Sequence, residues 1–160
     1  MPQARRARPS PPLRIRRSRL GDLDALSDLE NQVFETDRMS RRSLRRLLTS
    51  PSAAVLQAES GGALAGVVVV LFRANSPIAR LYSIAVAPAF TGRGIGAALI
   101  VAAEKASKSR KCRFLRLEVH QKNRGAIKLY HQAGYSQFGR HHQYYEDKGH
   151  ALRFQKQIAR

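Results

Sequence analysis

Apolar positions along the chain follow two periods, and the points where one gives way to the other outline its elements. Leu13-Arg-Ile-Arg-Arg17 alternates as a half-exposed edge strand does. Leu23, Leu26, Leu29 and Val33 recur at spacings of three and four, predicting a helix capped by Asp22. Glu35-Thr-Asp-Arg-Met-Ser40 interrupts that stripe. Ser40 then caps a short helix from Arg41 to about Leu48, with Leu44, Leu47 and Leu48 inward and arginines outward; Ser50-Pro51 ends it. Residues 53–58 and 64–73 read as two strands around a Glu59-Ser-Gly-Gly62 hairpin turn.

Ser76-Pro77 is a further turn, and Ala79 to Ala87 a third strong strand. A glycine-rich loop leads from it into a helix over about Ile95 to Ser109, whose Leu99, Ile100, Ala103 and Ala106 face the sheet. Lys105, Lys108, Arg110 and Lys111 suit the negative end of that helix. Phe114–Val119 is the next strand. Asn123 caps a helix running to about Ala133, and Gly134 stands where a C-cap glycine belongs. Two aromatic-rich strands, roughly 135–145 and 150–157, flank Asp147-Lys-Gly149. With no internal repeat, the pattern predicts one α/β domain over residues 13–160 behind a flexible basic tail, residues 1–12.

Composition narrows the class. A chain of 160 residues with 43% hydrophobic content can bury a real core. Val67-Val-Val-Val-Leu71 is far too short to cross a bilayer and reads as a buried strand, so no membrane partner is expected. The N-terminus is basic but lacks the apolar core of a secretory signal. Cys112 stands alone, which excludes an intramolecular disulfide; it reads as a packed thiol in a reducing cytoplasm. His131, His141, His142 and His150 have no metal-ligand spacing, and no metal is expected. The net charge of +18 favours polyanionic partners such as RNA, the ribosome or an acidic protein face.

The glycine-rich loop carries the first chemistry. Thr91-Gly-Arg-Gly-Ile-Gly96 joins a strand to a helix start, whose N–H groups lack intrahelical partners and whose dipole end is positive. That combination makes an anion cradle for a phosphate or pyrophosphate. Downstream stand Leu117-Glu-Val119, Asn123, Leu129-Tyr130 and Gly134-Tyr135. Taken with Val86-x-Pro88-x-x-Thr91-Gly-Arg-Gly-Ile-Gly96, these residues resemble the Gcn5-related N-acetyltransferase (GNAT) superfamily. Within it the chain looks most like the bacterial, RimI-like enzymes that acetylate the N-terminal alanine of a ribosomal protein. The similarity runs from about residue 13 to 157.

The resemblance implies a GNAT fold: a mixed central sheet splayed between two parallel strands, here Ala79–Ala87 and Phe114–Val119, flanked by about four helices. It implies acetyl-CoA in the gap, with backbone of Ile84, Ala85 and Val86 bonding the pantetheine arm. The N–H groups of Gly92, Arg93, Gly94, Ile95, Gly96 and Ala97 would hold the pyrophosphate, and Asn123 the cofactor's amide chain. The family usually has Arg or Gln where this chain has Thr91; a hydroxyl remains but a guanidinium or amide contact is lost, and Arg93, two residues on, is the candidate to replace it.

Acetyl transfer to an amine needs a base for the ammonium proton, a polarised carbonyl and an acid for the departing thiolate. Glu118 alternates with Leu115 and Leu117 and faces away from their side, as a salt-bridged surface glutamate also would; the Leu-Glu-Val match to the family makes it the candidate base. Tyr130 lies two helical turns after Asn123, a spacing that by itself reads as a core aromatic; the resemblance makes it the candidate acid, its phenol protonated at neutral pH. His120, just past the strand, is a weaker candidate for the cleft. The acceptor groove of such a fold would lie between Glu35, Asp37, Arg38 and Met39 and the segment Tyr144-Tyr145-Glu146. The expected acceptor is the α-amine of a peptide or protein. Lysine, polyamine and aminoglycoside acetylation, and a non-catalytic RNA- or ribosome-binding module, are the alternatives.

Overall fold

The computed structural model describes residues 11–160, so most of the expected tail, residues 1–10, lies outside the described residues. In chain order the elements are β1 (Leu13–Arg17), α1 (Leu23–Val33), α2 (Arg41–Thr49), β2 (Ala53–Ser60), β3 (Ala63–Leu71) and β4 (Ile78–Val86). Then come α3 (Ile95–Ser109), β5 (Phe114–His120), α4 (Arg124–Gln132), β6 (Ser136–His141) and β7 (Ala151–Gln157). The strands form one sheet in the order β1-β2-β3-β4-β5-β7-β6. Every pairing is antiparallel except β4 with β5, which α3 connects. Parallel neighbours need such a crossover.

The valine run of β3 shows why the sheet is covered on both faces. Val68 and Val70 belong to the core beneath α3, with Leu99, Ile100 and Ala103, whereas Val67 and Val69 pack with Leu26 and Leu29 of α1. A strand buried on both sides reads as an unbroken apolar run. Leu99 and Leu115 are fully buried; truncating either to alanine would cost about 2–5 kcal/mol.

The parallel ladder is short. It runs from Ile78 opposite Phe114 to Leu81 opposite Leu117 and stops. Beyond it β4 stays with β3, Ile84 opposite Val68 and Val86 opposite Gly66, while β5 stays with β7, Val119 opposite Leu152. A bulge skips Tyr82 in the β3–β4 register, just where the strands part. Bulges bend a strand and increase its twist. On the far side of β3, Gly66 lets β4 and α3 close in: a Cβ there would lie 2.8 Å from the Ala85 carbonyl and 3.0 Å from Leu99.

Most boundaries fall within a residue or two of those expected. The last hairpin differs most, because its loop runs from His142 to His150 rather than being a tight turn at 147–149. The Asp22 cap also needs correcting. The Asp22 side chain caps nothing in α1; it accepts from the Arg19 N–H at 2.7 Å and from the Arg16 guanidinium at 2.7 and 2.9 Å. The Arg16 hydrogen bonds hold the Asp22 carboxyl down at about 2. Ser40 does cap α2, accepting from the Ser43 N–H.

Candidate active site

The cleft opens where β4 and β5 diverge. On one side the chain leaves β4 through a 3-10 turn, Pro88–Phe90, and enters the glycine loop. Gly92 and Gly94 take φ of +80° and +74°, a region L side chains rarely adopt, and Gly94 is the N-cap of α3. The N–H groups of residues 92–97 have no acceptor among the described residues; the first that does is Ala98, on the Gly94 carbonyl at 3.1 Å. Gly96 abuts α4, where a Cβ would meet Leu129 at 3.0 Å. The expected role of Thr91 meets an obstacle, because its hydroxyl donates to the Pro88 carbonyl at 2.9 Å. The Arg93 guanidinium lies over the Phe90 ring at 5.2 Å.

Beside the parting of the strands, Ile84 of β4 meets Glu118, Asn123 and Tyr130 around one cavity of about 510 Å³. Asp37, Arg38, Met39, His120, Tyr144 and Tyr145 line it too. Glu35 and Glu146 do not line it, although the Glu146 N–H donates to Asp37 Oδ1 at 3.3 Å and ties the two groove segments together. Ala85, Val86 and the glycine loop lie along the gap rather than on this cavity.

Glu118 projects from the half-exposed side of β5, while Leu115, Leu117 and Val119 fill the core. Its carboxylate accepts from Arg80 Nε at 3.0 Å, and the same guanidinium donates to the Tyr144 hydroxyl at 2.8 Å. Burial alone would lower the Arg80 pKa; Glu118 and Tyr144 outweigh it and raise it. Tyr130 is 3% exposed, and burial pushes its phenol well above the ordinary value. Asn123 caps α4 by accepting from the Ala126 N–H at 3.1 Å, which leaves its amide NH₂ for a ligand.

Two cavity residues, Arg80 and Glu30, escape a reading of the sequence, while His120 lines the cavity as expected. Arg80 sits in an apolar run and is brought to Glu118 only by the β4–β5 register. Glu30, in the last turns of α1, is 3% exposed and accepts from the Met39 N–H at 2.9 Å; burial raises its pKa. His120 stacks on Tyr145 at 4.9 Å, with Nε2 2.9 Å from Asp147, and so braces the β6–β7 loop. Among the described residues no group of three or more His, Cys, Asp or Glu is placed to hold a metal. Among the described residues no helix is long and apolar enough to cross a membrane.

A splayed mixed sheet, a glycine loop at a helix start, and a carboxylate and a phenol on one cleft together make a mixed α/β protein with a cleft at the parting of its two parallel strands. The model of the acetyltransferase (GNAT) family matches residues 22–135, and the chain belongs to that family. It is an N-acetyltransferase by that membership and by its relatives. A Bacillus subtilis (strain 168) protein, whose name proposes ribosomal protein bS18-alanine N-acetyltransferase activity, is 30% identical over 135 residues, covering 84% of this chain and 88% of that one. The crystal structure of the ribosomal-protein-S18-alanine N-acetyltransferase from Escherichia coli superposes with a TM-score of 0.83 at 23% identity, over 92% and 95% of the two chains. That of the PaiA N-acetyltransferase from Thermoplasma acidophilum, in complex with coenzyme A, gives 0.76 at 20% identity, over 91% and 99%.

Proposed function

We propose that this chain transfers the acetyl group of acetyl-CoA to the N-terminal α-amine of a protein or peptide, by direct attack within a ternary complex. The observation that carries the reading is the meeting of Glu118, Asn123 and Tyr130 on one cavity at the point where β4 and β5 part. Acetyl-CoA fits this chain's own groups: a strand edge at Ile84–Val86 left by β5, and N–H groups of residues 92–97 with no internal acceptor. When bound, it supplies an acetyl thioester already activated toward an amine.

The protein's residues do the rest. Glu118, held by Arg80, takes the ammonium proton directly or through a water and frees the nitrogen lone pair. A backbone N–H of the Ile84–Val86 edge polarises the thioester carbonyl. Tyr130 stays protonated across the physiological range because it is buried, and donates toward the sulfur. The same low-dielectric surroundings raise the proton affinity of a thiolate, so the transfer is not opposed by the raised phenol. The NH₂ of Asn123 holds an amide carbonyl of the pantetheine arm. The basic exterior offers an encounter surface for ribosomal RNA or an acidic protein face.

Incubation with acetyl-CoA and a library of free-N-terminus peptides, read by mass spectrometry, tests the reading. One added acetyl group on the α-amine is the expected product. Acetylation of polyamines, aminoglycosides or lysine side chains with no α-amine product would overturn it, and salt-sensitive RNA binding without thiol release would replace it with a non-catalytic module.

A further inference from the structure

A second charged constellation lies on the same sheet face as Glu118, beyond the cavity. Alternation puts Arg116 and Glu118 on one face of β5. Arg80 of β4 stands directly opposite Arg116, and on β7 Gln155 and Arg153 stand opposite Arg116 and Glu118. Phe138, at the bulge of β6, completes the patch, with the Arg116 and Arg153 guanidinium carbons 4.8 and 4.6 Å from its ring centroid. On this face α1 and α2 pack over β2, β3 and β4, and Arg116 and Arg153 remain partly exposed.

The charges on this patch do not balance. Three guanidinium groups share the face with one carboxylate, and Glu118 is already bonded to Arg80. Arg116 has only the neutral Gln155 amide oxygen, at 3.1 Å. Arg153 forms no ion pair among the described residues, and its Nε is buried without an acceptor. Like charges directly opposite one another weaken a sheet. The Phe138 ring offsets part of that cost and holds both guanidinium planes in place, so their forks are preorganised for an anion.

We propose that the Arg116–Phe138–Arg153 patch is a subsite for a carboxylate on the acceptor peptide, a few residues beyond its reacting amine; this rests on the cleft being the acceptor site. Arg153 is the cross-strand neighbour of Glu118, roughly 5 Å away along the ladder, and Arg116 lies about 7 Å along β5. An extended peptide rises about 3.3 Å per residue, so a side chain at position two to four reaches the patch. Asp37 and Glu118 on the cavity, with Glu146 beside Asp37, repel a nucleic-acid backbone but leave room for one carboxylate.

The test uses alanine-initiated peptides labelled at the C-terminus, with glutamate or glutamine at each of positions two to five. Equilibrium binding is read by fluorescence anisotropy and transfer by mass spectrometry. At one position glutamate should bind about tenfold more tightly than glutamine. Arg116→Gln and Arg153→Gln should each abolish that difference while melting like the parent. Arg153→Lys, which keeps charge and stem but loses the fork, should retain part of it. Equal binding of glutamate and glutamine peptides at every position overturns the proposal. So does an oligouridine that binds more tightly than every glutamate peptide and weakens in the same two variants. Glutamate-selective binding without transfer supports the subsite and overturns peptide acetylation; transfer without glutamate preference does the reverse.

Discussion

On the β4–α3 side of the cleft the groups turned inward are backbone: a strand edge that β5 has left, and the N–H groups of residues 92–97. Around the cavity they are side chains, from β4 as well as from the segments facing it, and their contacts join distant parts of the chain. Arg80 reaches Tyr144 across 64 residues of sequence, and Asp37 accepts from Glu146 across 109. A wall of backbone depends on conformation, so it tolerates changes of side chain but not of φ. A wall of side chains depends on register, so one slipped residue dismantles it. The first wall therefore suits the invariant ligand of a family and the second its variable acceptor.

The largest expected effect separates chemistry from cofactor holding. Glu118→Gln keeps the shape and the Arg80 contact but cannot take a proton. Its kcat should fall by about 10²–10⁴-fold with the KM for acetyl-CoA nearly unchanged. Tyr130→Phe should show the same pattern, about tenfold to a hundredfold. A thiol-release assay measures both, and a rise in the KM for acetyl-CoA as large as the fall in kcat would break the division between the walls. Next comes a change confined to the backbone wall. Gly94→Val places a β-branched residue at φ +74° and should raise the KM for acetyl-CoA by about tenfold, leaving the acceptor KM in place.

The two walls also differ in how legible they are in the sequence. Glycine positions, helix periodicity and the Asn123 cap are local signals, so the loop, α3 and α4 stand where the pattern puts them. The side of β5 from which Glu118 projects was legible from alternation within one strand. The carboxylate's partner Arg80 was not, because the pairing exists only through the Leu81–Leu117 end of the parallel ladder. Asp22 shows the same limit on a smaller scale. It has a capping residue's identity and position, yet Arg16, six residues earlier, pulls its carboxylate away through bonds that need β1 beside the first turn. The long 142–150 loop hid for a related reason: His120 and Asp147 brace it from another strand.

Arg80 itself gives a mid-sized test of the side-chain wall. Arg80→Gln removes the guanidinium that joins Glu118 to Tyr144, so both the base and the loop lose their fixed positions. We expect the acceptor kcat/KM to fall by about tenfold, with saturation by acetyl-CoA unaltered. Arg80→Lys should restore little, because one ammonium cannot span both partners at the same angles.

The smallest expected effect concerns what the acceptor wall costs the fold. Glu30 is 3% exposed with one carboxylate oxygen on the Met39 N–H, and burial raises its pKa above the ordinary 4.5. A carboxyl whose folded pKa is raised binds its proton more tightly in the native state. Stability is therefore greatest below the unfolded value and declines as pH rises through the folded one. Glu30→Gln keeps an oxygen for the Met39 N–H and removes the charge. At pH 7 it should melt higher than the parent, and the gain should vanish as the pH is lowered past the unfolded value. A corresponding rise in the acceptor KM at pH 7 would show that the cost is retained for binding a cationic amine. An unchanged KM would confine Glu30 to holding the α1–α2 connection.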